Sequence, residues 1–408
     1  MKKLYLILLA AVMALPTMAQ KSNYDYNFYG FVRSDFFYNS RDNAASFNEI
    51  FYLYPLDVEL DAAGNDLNSS SSSGFFSFIT RLGVDLSGPN IGTAKTSAKI
   101  EVDFGGYSSM NILLRIRHAY INLDWEGGSN LIIGQTWHPL FGDVMPTMVN
   151  VSTGSPYQPF SRSPQLRYQY KTGGWKFLAA ALSQNQYTTS GVNETSIEYF
   201  LNCGIPEFYT GFDYTSNGWL VGGGVDISTI APRTTSSYGG ETYKVKERLT
   251  SVSGDFHLRY TADKLKISAK SVLASALDHT VMLGGYGVTS VSGVNGEQSY
   301  TPIRNSSSWL NIVYGDVWRP SIFIGYVKNL GSSEELYSST TNYGRGLDID
   351  QLLGAYATFS YNQPSWSVAI EYSANTAWYG ELNLTNGRVY NTHDVTNHRV
   401  TAAVTYLF

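Results

Sequence analysis

The sequence has few of the residues that stabilise or operate an ordinary intracellular enzyme. It has a single cysteine in 408 residues, so no intramolecular disulfide can form. Charged residues make up 15 % of the chain, against about 25 % in soluble domains. After the first residues, no stretch approaches the roughly 18 consecutive apolar residues of a transmembrane helix. Stability must therefore come from something other than disulfides or apolar helices.

Catalytic and cofactor motifs are also missing. The chain has no G-x-S-x-G elbow, no P-loop and no H-E-x-x-H zinc motif. Three polar residues near the end, His393, Asp394 and His398, are interpreted as a solvated turn before the last strand rather than as metal ligands. We therefore expect no enzyme activity, no catalytic residue, no cofactor and no metal.

The N-terminus predicts export. Lys2 and Lys3 precede an apolar run from Leu4 to Leu15, and Thr17-Met18-Ala19 offers small residues for a signal peptidase. The run is too short to anchor the chain in a bilayer, so residues 1–19 are predicted to be a cleaved signal peptide. The mature chain then has 26 basic and 33 acidic residues, a net charge of −7, which argues against a nucleic-acid partner.

What the chain has in abundance is aromatic residues and alternation. There are 8 Trp, 31 Tyr and 20 Phe. In residues 97–104, 165–171 and 366–372 apolar and polar residues alternate with the period of a β-strand that has one apolar face. Short turns and long polar stretches, such as residues 39–74 and 277–304, separate sixteen such segments. These candidate strands lie near residues 26–38, 75–87, 94–104, 112–124, 129–137, 164–171, 174–184, 205–214, 218–228, 242–261, 264–276, 305–315, 317–328, 350–361, 366–374 and 397–408.

Alternation alone also fits a soluble β-sandwich. The aromatic excess favours a membrane barrel, because Tyr and Trp concentrate where a barrel wall meets the lipid headgroups. The ending from Val400 to Phe408 resembles the C-terminal assembly signal of outer-membrane barrels, with Tyr406 and Phe408 as its aromatic residues. We therefore predict an all-β fold: one transmembrane antiparallel barrel of about 16 strands over residues 20–408, in the cell outer membrane. Its partners would be outer-membrane lipid, lipopolysaccharide and the barrel-assembly machinery.

If the apolar faces contact lipid, the polar faces line the lumen. Charged side chains survive at membrane depth only in contact with water or with each other, and sixteen strands leave an aqueous channel. An alternative is that some of these charges, Glu101 for example, only pair across the wall to hold the barrel together. The predicted lumen residues on the first strands are Arg33, Asp35, Arg81, Asp85, Lys99, Glu101, Asp103, Arg115 and Arg117.

Residues 138–163 form an unusual connection. Together with Pro164 they hold five of the 13 prolines, and they are rich in apolar side chains such as Phe141 and Met148. Prolines leave few free backbone donors, which fits a segment packed against other residues. We expect an inward-folded constriction loop with Asp143 and Arg162 in the pore and Arg167 on a nearby wall. Alternatively, the segment is an external loop that covers the barrel mouth or contacts a neighbouring subunit.

One stretch resembles a known family. Residues 112–137, with Arg117-His118-Ala119-Tyr120 and Leu131-Ile132-Ile133-Gly134-Gln135-Thr136-Trp137, are similar to the R-x-A-Y and L-x-x-G-Q-T-W core of DcaP-related porins. The segments Gly30–Asp35 and Thr80–Asp85 resemble the first two strands of that family. The resemblance implies a sixteen-stranded trimeric porin whose constriction arginines favour anionic solutes, and it places Arg33, Arg81, Arg115 and Arg117 on pore-facing positions. The residues around Met18 and the Tyr-rich loops are also similar to Bacteroidetes outer-membrane proteins.

These observations predict a water-filled channel for passive diffusion of small hydrophilic solutes, with an anion or zwitterion preference set by the lumenal arginines. The expected assembly is a homotrimer. DcaP-type proteins carry an N-terminal helical extension, whereas only a few residues separate the predicted cleavage site from the first strand here. The alternative function is a surface-binding or adhesion barrel whose lumen is occluded.

Overall fold

The computed structural model describes residues 24–108 and 111–408, so the predicted signal peptide lies outside the described residues. Sixteen strands make up the wall. Each of the sixteen predicted strands corresponds to one of them. They are β1 (Asp25–Asn39), β2 (Ser72–Phe76 and Arg81–Ile91), β3 (Ala94–Ser108), β4 (Asn111–Asp124), β5 (Ser129–Trp137), β6 (Arg162–Thr172), β7 (Trp175–Leu182), β8 (Glu207–Ser216), β9 (Trp219–Ile230), β10 (Leu249–Ala262), β11 (Leu265–Ser275), β12 (Gln298–Tyr314), β13 (Trp318–Gly331), β14 (Ile349–Asn362), β15 (Trp366–Leu382) and β16 (Val389–Leu407).

The sheet closes on itself. Each strand pairs antiparallel with the next along the chain, and β1 pairs with β16 from Phe31 opposite Leu407 to Asn39 opposite Arg399. Two backbone hydrogen bonds between Gly30 and Phe408 extend this seam. Closure leaves no strand edge with unpaired backbone groups, which is the condition for a sheet to span hydrocarbon. The predicted antiparallel barrel is confirmed.

The two ends of the barrel differ in the length of their connections. At one end, turns such as residues 173–174 and 217–218 join neighbouring strands, and both chain ends of the barrel lie there. The long connections lie at the other end. Two connections at that end are nevertheless short, between β3 and β4 and between β15 and β16, so long and short connections do not alternate throughout.

Smaller elements occupy the long connections. The predicted strand at 242–261 begins only at Leu249, because residues 242–244 belong to a separate hairpin. None of the helices described in residues 24–108 and 111–408 is long and apolar enough to cross a bilayer. The small elements are the hairpins Asn43–Ser46 with Phe51–Pro55, Ser190–Gly191 with Glu194–Thr195, and Thr235–Tyr238 with Glu241–Lys244, the strands Gly284–Val291 and Asn342–Arg345, the helix α1 (Glu198–Leu201) and the 3₁₀ turn Asp278–Thr280.

The last strand is longer than predicted. His393, Asp394 and His398, expected in a turn, lie within β16 and pair with β15. His393 Nε2 also lies 2.6 Å from Asp57 Oδ1 in the first long loop. The prediction failed because this part of β16 extends beyond its apolar stretch. Its residues there do not show the alternation of apolar and polar side chains that marks a strand in lipid.

The outer face carries a repeated aromatic pair. At four hairpins a Trp begins the strand after a short turn and packs against a Tyr of the adjoining strand, with ring centroids 4.6–4.9 Å apart. Such residues place an apolar ring in lipid and a polar tip at the headgroups. The pairs therefore mark one membrane boundary, at the short-turn end. They are Trp175–Tyr214, Trp219–Tyr260, Trp318–Tyr361 and Trp366–Tyr406.

The assignment of strand faces to lipid and lumen can be tested by introducing the same charged residue at one position on each face. Ile322 points outward from the middle of β13 and is 56 % exposed, whereas Ser360 of β14 lines an internal cavity. We expect Ile322→Arg to lower the free energy of unfolding in lipid by about 2–4 kcal/mol, because the charge enters hydrocarbon. Ser360→Arg is the control and should change it far less. Denaturant unfolding in vesicles measures both, and equal losses would contradict the assignment of faces.

Candidate functional site

Residues 138–161, between β5 and β6, are called the inward segment below. Its backbone contacts inner-face side chains from several sides of the wall. Arg33 of β1 donates to Val149 O at 2.7 Å, and Lys270 of β11 donates to Leu140 O and Phe141 O at 2.8 and 2.6 Å. The segment therefore lies inside the barrel. Arg162 and Ser163, which the prediction assigned to this segment, begin β6 instead.

One carboxylate fixes the tip of the inward segment. Glu371 of β15 accepts the backbone N–H groups of Val149 and Asn150 at 2.8 and 2.9 Å, and the Thr358 hydroxyl at 2.7 Å. Asn311 of β12 accepts the Thr147 N–H at 2.8 Å. Hydrogen bonds to a buried charged group are worth more than neutral ones, so these contacts hold the tip against the wall.

Two glycines on the wall make room for a tyrosine of the inward segment. Tyr157 is fully buried, and its hydroxyl donates to Asn375 at 2.9 Å. A Cβ atom at Gly325 of β13 would lie 2.4 Å from the Tyr157 ring, and one at Gly354 of β14 would lie 2.4 Å from its hydroxyl. Only glycine leaves this space, so the two neighbouring strands form a seat for the ring.

An apolar cluster fills the lumen around the inward segment. Trp137 stacks on Phe141 with centroids 4.0 Å apart, and Phe160 meets both rings edge-on. The same cluster includes Trp309 of β12 and Phe323 of β13. The inner faces of these later strands are therefore partly apolar, which the alternation rule did not predict.

The hairpin of the first long loop, residues 43–55, completes the cluster. Its Phe51 packs edge-on against Phe160, 5.1 Å away. Arg399 of β16 donates to Glu49 O at 2.9 Å and lies over the ring of Tyr52 at 5.2 Å. Tyr379 of β15 donates to Pro55 O at 2.7 Å. The long loop is therefore folded into the barrel, on the side where the long connections lie.

The opposite wall carries a network of ion pairs. Asp103 accepts from Arg115 Nε and Nη2 at 2.9 and 2.8 Å and from Arg117 Nη1 at 2.9 Å. Glu101 accepts from Arg117 Nε at 2.8 Å and lies 3.4 Å from Arg81 Nε. A bulge at Arg117, where β3 and β4 shift register, brings it to the inner side together with Arg115. These five residues predicted for the lumen are brought together.

The remaining predicted lumen residues form smaller groups. Arg33 bonds Asp35, with Nη2 2.5 Å from Oδ1, and Lys99 lies 2.8 Å from Asp85. Asp143 is exposed and lies 2.5 Å from Lys176 Nζ. Arg167 donates to Gln165 Oε1 at 2.7 Å and to the Trp137 carbonyl.

Arg162 does not stand free in the lumen. Its side chain is fully buried, lies 4.7 Å from the centroid of Trp137, and donates from Nε to Gln186 at 3.2 Å. Neither of its terminal nitrogens has a hydrogen-bond partner among the described residues. The start of the connection between β7 and β8, which carries Gln186, covers it.

A polar cavity lies between the tip of the inward segment and the short-turn end of the barrel. It is lined by Arg33, Thr147, Arg319, Ser360, Asn362 and Thr405, among others. Charged and hydroxyl side chains at this depth require water or polar partners. The barrel is thus apolar and filled around the inward segment, and polar toward the short turns.

Residues 14–200 match the model of the DcaP outer membrane protein family. Over these residues the chain is related to the DcaP family of outer-membrane porins. The matched residues include the ion-pair network and the whole inward segment of the porin. No curated protein sequence matches it.

Solved structures share the fold of the porin. The outer membrane channel DcaP of Acinetobacter baumannii is 19 % identical, with a TM-score of 0.68 over 96 % of this chain and 99 % of that chain. OmpT of Vibrio cholerae is 12 % identical, with a TM-score of 0.55 over 96 % and 100 % of the two chains. An anion-selective porin from Comamonas acidovorans is 11 % identical, with a TM-score of 0.53 over 94 % and 100 %.

Sequence reasoning missed Glu371, Arg399 and Lys270 of the porin, which hold its loops inside. A signal existed for the apolar wall. Ile322-Phe323-Ile324 has apolar residues on both faces, and so breaks the alternation of a strand whose inner face meets only water. No comparable signal marked the three anchors, since their partners are backbone atoms distant in sequence.

The Glu371 anchor of the porin gives a testable expectation. Glu371→Gln keeps the shape but replaces one carboxylate oxygen by an NH₂ group, which cannot accept the N–H of Val149 or Asn150. We expect a loss of about 1.5–3 kcal/mol in the free energy of unfolding, because a charged hydrogen bond is lost. Glu381→Gln, an exposed position on the same strand, is the control. Denaturant titration compares them, and no difference would remove Glu371 as an anchor.

The glycine seat of the porin is tested by adding one methyl group. Gly325→Ala places a Cβ against Tyr157, whereas Gly254→Ala on β10 meets nothing nearer than 3.5 Å. We expect the first to destabilise the barrel by about 1–3 kcal/mol, because overpacking displaces the ring, and the second to be tolerated. Thermal unfolding followed by gel mobility measures both. A Gly325→Ala protein as stable as the control would contradict the seat.

Proposed function

We propose that this porin is a channel for passive diffusion of small hydrophilic solutes, with a preference for anions or zwitterions. The observation that supports this most directly is the charged wall. Arg33, Arg81, Arg115, Arg117 and Arg162 lie on or beside it, against three carboxylates, those of Asp35, Glu101 and Asp103. The wall keeps an excess of positive charge, although the mature chain as a whole is negative.

Three of these arginines are accessible to a passing solute. The side chains of Arg33, Arg81 and Arg115 are 18, 24 and 14 % exposed, whereas Arg162 is buried. Fixed positive charge along a narrow water-filled passage attracts anions without any input of energy. Asp85, Lys99 and Asp143 would add polar contacts along the lining, and the buried Arg162 would contribute through its charge.

The inward segment is the candidate constriction of this channel. It crosses the lumen from the end of β5, and its tip lies at Arg33. We place the selective part of the passage where the tip faces the ion-pair wall, above the polar cavity. The prolines alone indicated a constriction in this segment. The hydrogen bonds that Glu371 and Asn311 accept from it add a reason for the tip to have a fixed position.

The surroundings of the channel follow from the same proposal. Residues 1–19 would direct export, and Tyr406 and Phe408, at the end of the seam with β1, would be read by the barrel-assembly machinery. The outer wall would contact outer-membrane lipid and lipopolysaccharide. Three copies would form the trimer implied by the family resemblance.

The apolar cluster favours one other function. Because the first-loop hairpin and the inward segment fill the long-loop half of the lumen with aromatic rings, the chain could instead act as a surface-binding barrel with an occluded lumen. Planar-bilayer recording separates the two. A protein that folds as a heat-modifiable barrel but shows no ion conductance would rule out the channel.

Selectivity is tested at the ion-pair wall. Neutralising Arg115 and Arg117 together, as Arg115→Gln with Arg117→Gln, should shift the reversal potential in a salt gradient toward cations, because the excess positive charge is lost. Glu101→Gln removes a negative charge from the same network and should shift it the opposite way. Heat-modifiable gel migration checks that each variant is folded. An unchanged reversal potential in both would remove this wall from the selective part of the passage.

A further inference from the structure

A second group of titratable side chains lies where β5 ends and the inward segment begins. His138 follows β5, Glu207 begins β8 and Asp226 lies on β9. All three are buried, with exposed fractions of 0, 1 and 1 %. One ligand atom from each residue lies within 4.8 Å of those of the other two. The group is separate from the arginine wall and has no part in the proposed conduction.

Asp226 lacks the partners that a buried carboxylate needs. Neither Oδ1 nor Oδ2 accepts a hydrogen bond from the described residues, although the side chain is almost fully enclosed. His138 Nε2 lies 3.8 Å from its Oδ1. An unpaired buried carboxylate costs several kcal/mol, so both oxygens point to a bound positive charge.

The other two residues are oriented toward the same point. The Leu140 N–H donates to His138 Nδ1 at 3.1 Å, which leaves Nε2 facing the carboxylates, 2.8 Å from Glu207 Oε1. His279, in the 3₁₀ turn Asp278–Thr280, lies 3.2 Å from Glu207 Oε2. This contact helps to hold the Glu207 carboxylate in position.

A neighbouring cluster shows what complete pairing looks like in this barrel. His257 of β10 lies 2.7 Å from both Asp213 Oδ1 and Asp255 Oδ2. The other oxygens are also paired, Asp213 Oδ2 with Lys176 at 2.5 Å and Asp255 Oδ1 with the Tyr209 hydroxyl at 3.0 Å. The group at His138 differs because neither carboxylate oxygen of Asp226 has a hydrogen-bond partner among the described residues.

We propose that His138, Glu207 and Asp226 bind a divalent transition-metal cation of the zinc type. One imidazole and two carboxylates form a nitrogen and oxygen donor set that such ions accept. Bonds of about 2.0–2.2 Å at tetrahedral angles separate neighbouring ligand atoms by about 3.4 Å. The separations of 2.8 and 3.8 Å around His138 Nε2 lie on either side of that value. A water molecule can supply the fourth ligand.

Binding would couple the metal to the root of the inward segment. In the present arrangement Nε2 carries the proton that it donates to Glu207, and the metal would take the place of this proton at Nε2. A neutral imidazole that binds through Nε2 carries its proton on Nδ1, so the Leu140 N–H bond to that atom must open. The peptide groups of Leu140 and Phe141, which Lys270 also holds, would therefore shift on binding.

The experiment uses the full mature barrel, purified and folded in detergent. The protein is incubated with ZnCl₂ at pH 7.5, passed through a desalting column and assayed for bound zinc by mass spectrometry. We expect about one zinc ion per chain, and an affinity at least about tenfold lower in Asp226→Asn and Glu207→Gln, since each loses a ligand. His393→Asn is the control for zinc on exposed histidines and should bind as the wild type does.

Folding of each variant is checked by heat-modifiable gel migration. If the substituted proteins do not fold, the wild type alone decides: zinc should raise its unfolding temperature at pH 7.5, and removal of the zinc by EDTA should reverse this effect. The proposal is overturned if the wild type retains no zinc, if Asp226→Asn retains as much, or if His393→Asn removes the bound ion. Conductance is not part of this test, so its result stands apart from that of the channel.

Discussion

The structure depends on one constraint: every backbone N–H and C=O group at the depth of the bilayer must find its partner within the protein. An antiparallel sheet meets it only by closing, and here the first strand pairs with the last over nine residues. Alternation follows directly, since each strand then separates lipid from lumen. The low charge of the sequence and its Trp–Tyr pairs at the short turns are consequences of the same requirement.

Once the barrel wall is closed, function depends on which residues fill the lumen. A sixteen-stranded barrel is too wide for its own wall side chains to close the lumen, so a passage must be narrowed by chain from the loops. Two loops do this here, and both are held by buried charges that bind backbone atoms: Glu371 receives N–H groups, while Lys270 and Arg399 donate to carbonyl oxygens. Loops have no ladder of backbone hydrogen bonds to a neighbouring strand. Charged side chains on the rigid wall therefore supply the hydrogen bonds that such a strand would give.

The fold could be predicted from the sequence because its determinants are local. A two-residue period reports which face of a strand meets lipid, and it located all sixteen strands. The candidate site was predictable only on β1–β4, where charges such as Arg115 and Asp103 alternate with apolar residues. It was not predictable on β12–β14, because Trp309 and Phe323 face other parts of the chain rather than water, and a period cannot show that. Arg162 was placed in the loop rather than on β6, and in the wrong environment, since the loop residue that covers it, Gln186, is 24 positions away.

The first-loop hairpin is held by a residue near the other end of the chain. Arg399, which donates to Glu49 O, is 350 positions away from it in sequence, on the strand that closes the barrel. Contacts of such long sequence separation form late, because the intervening chain must first be ordered. The hairpin therefore cannot reach its final position while the seam between β1 and β16 is open. Its entry into the lumen is a step that only a completed barrel can take, so a chain stalled during assembly would leave this aromatic hairpin outside.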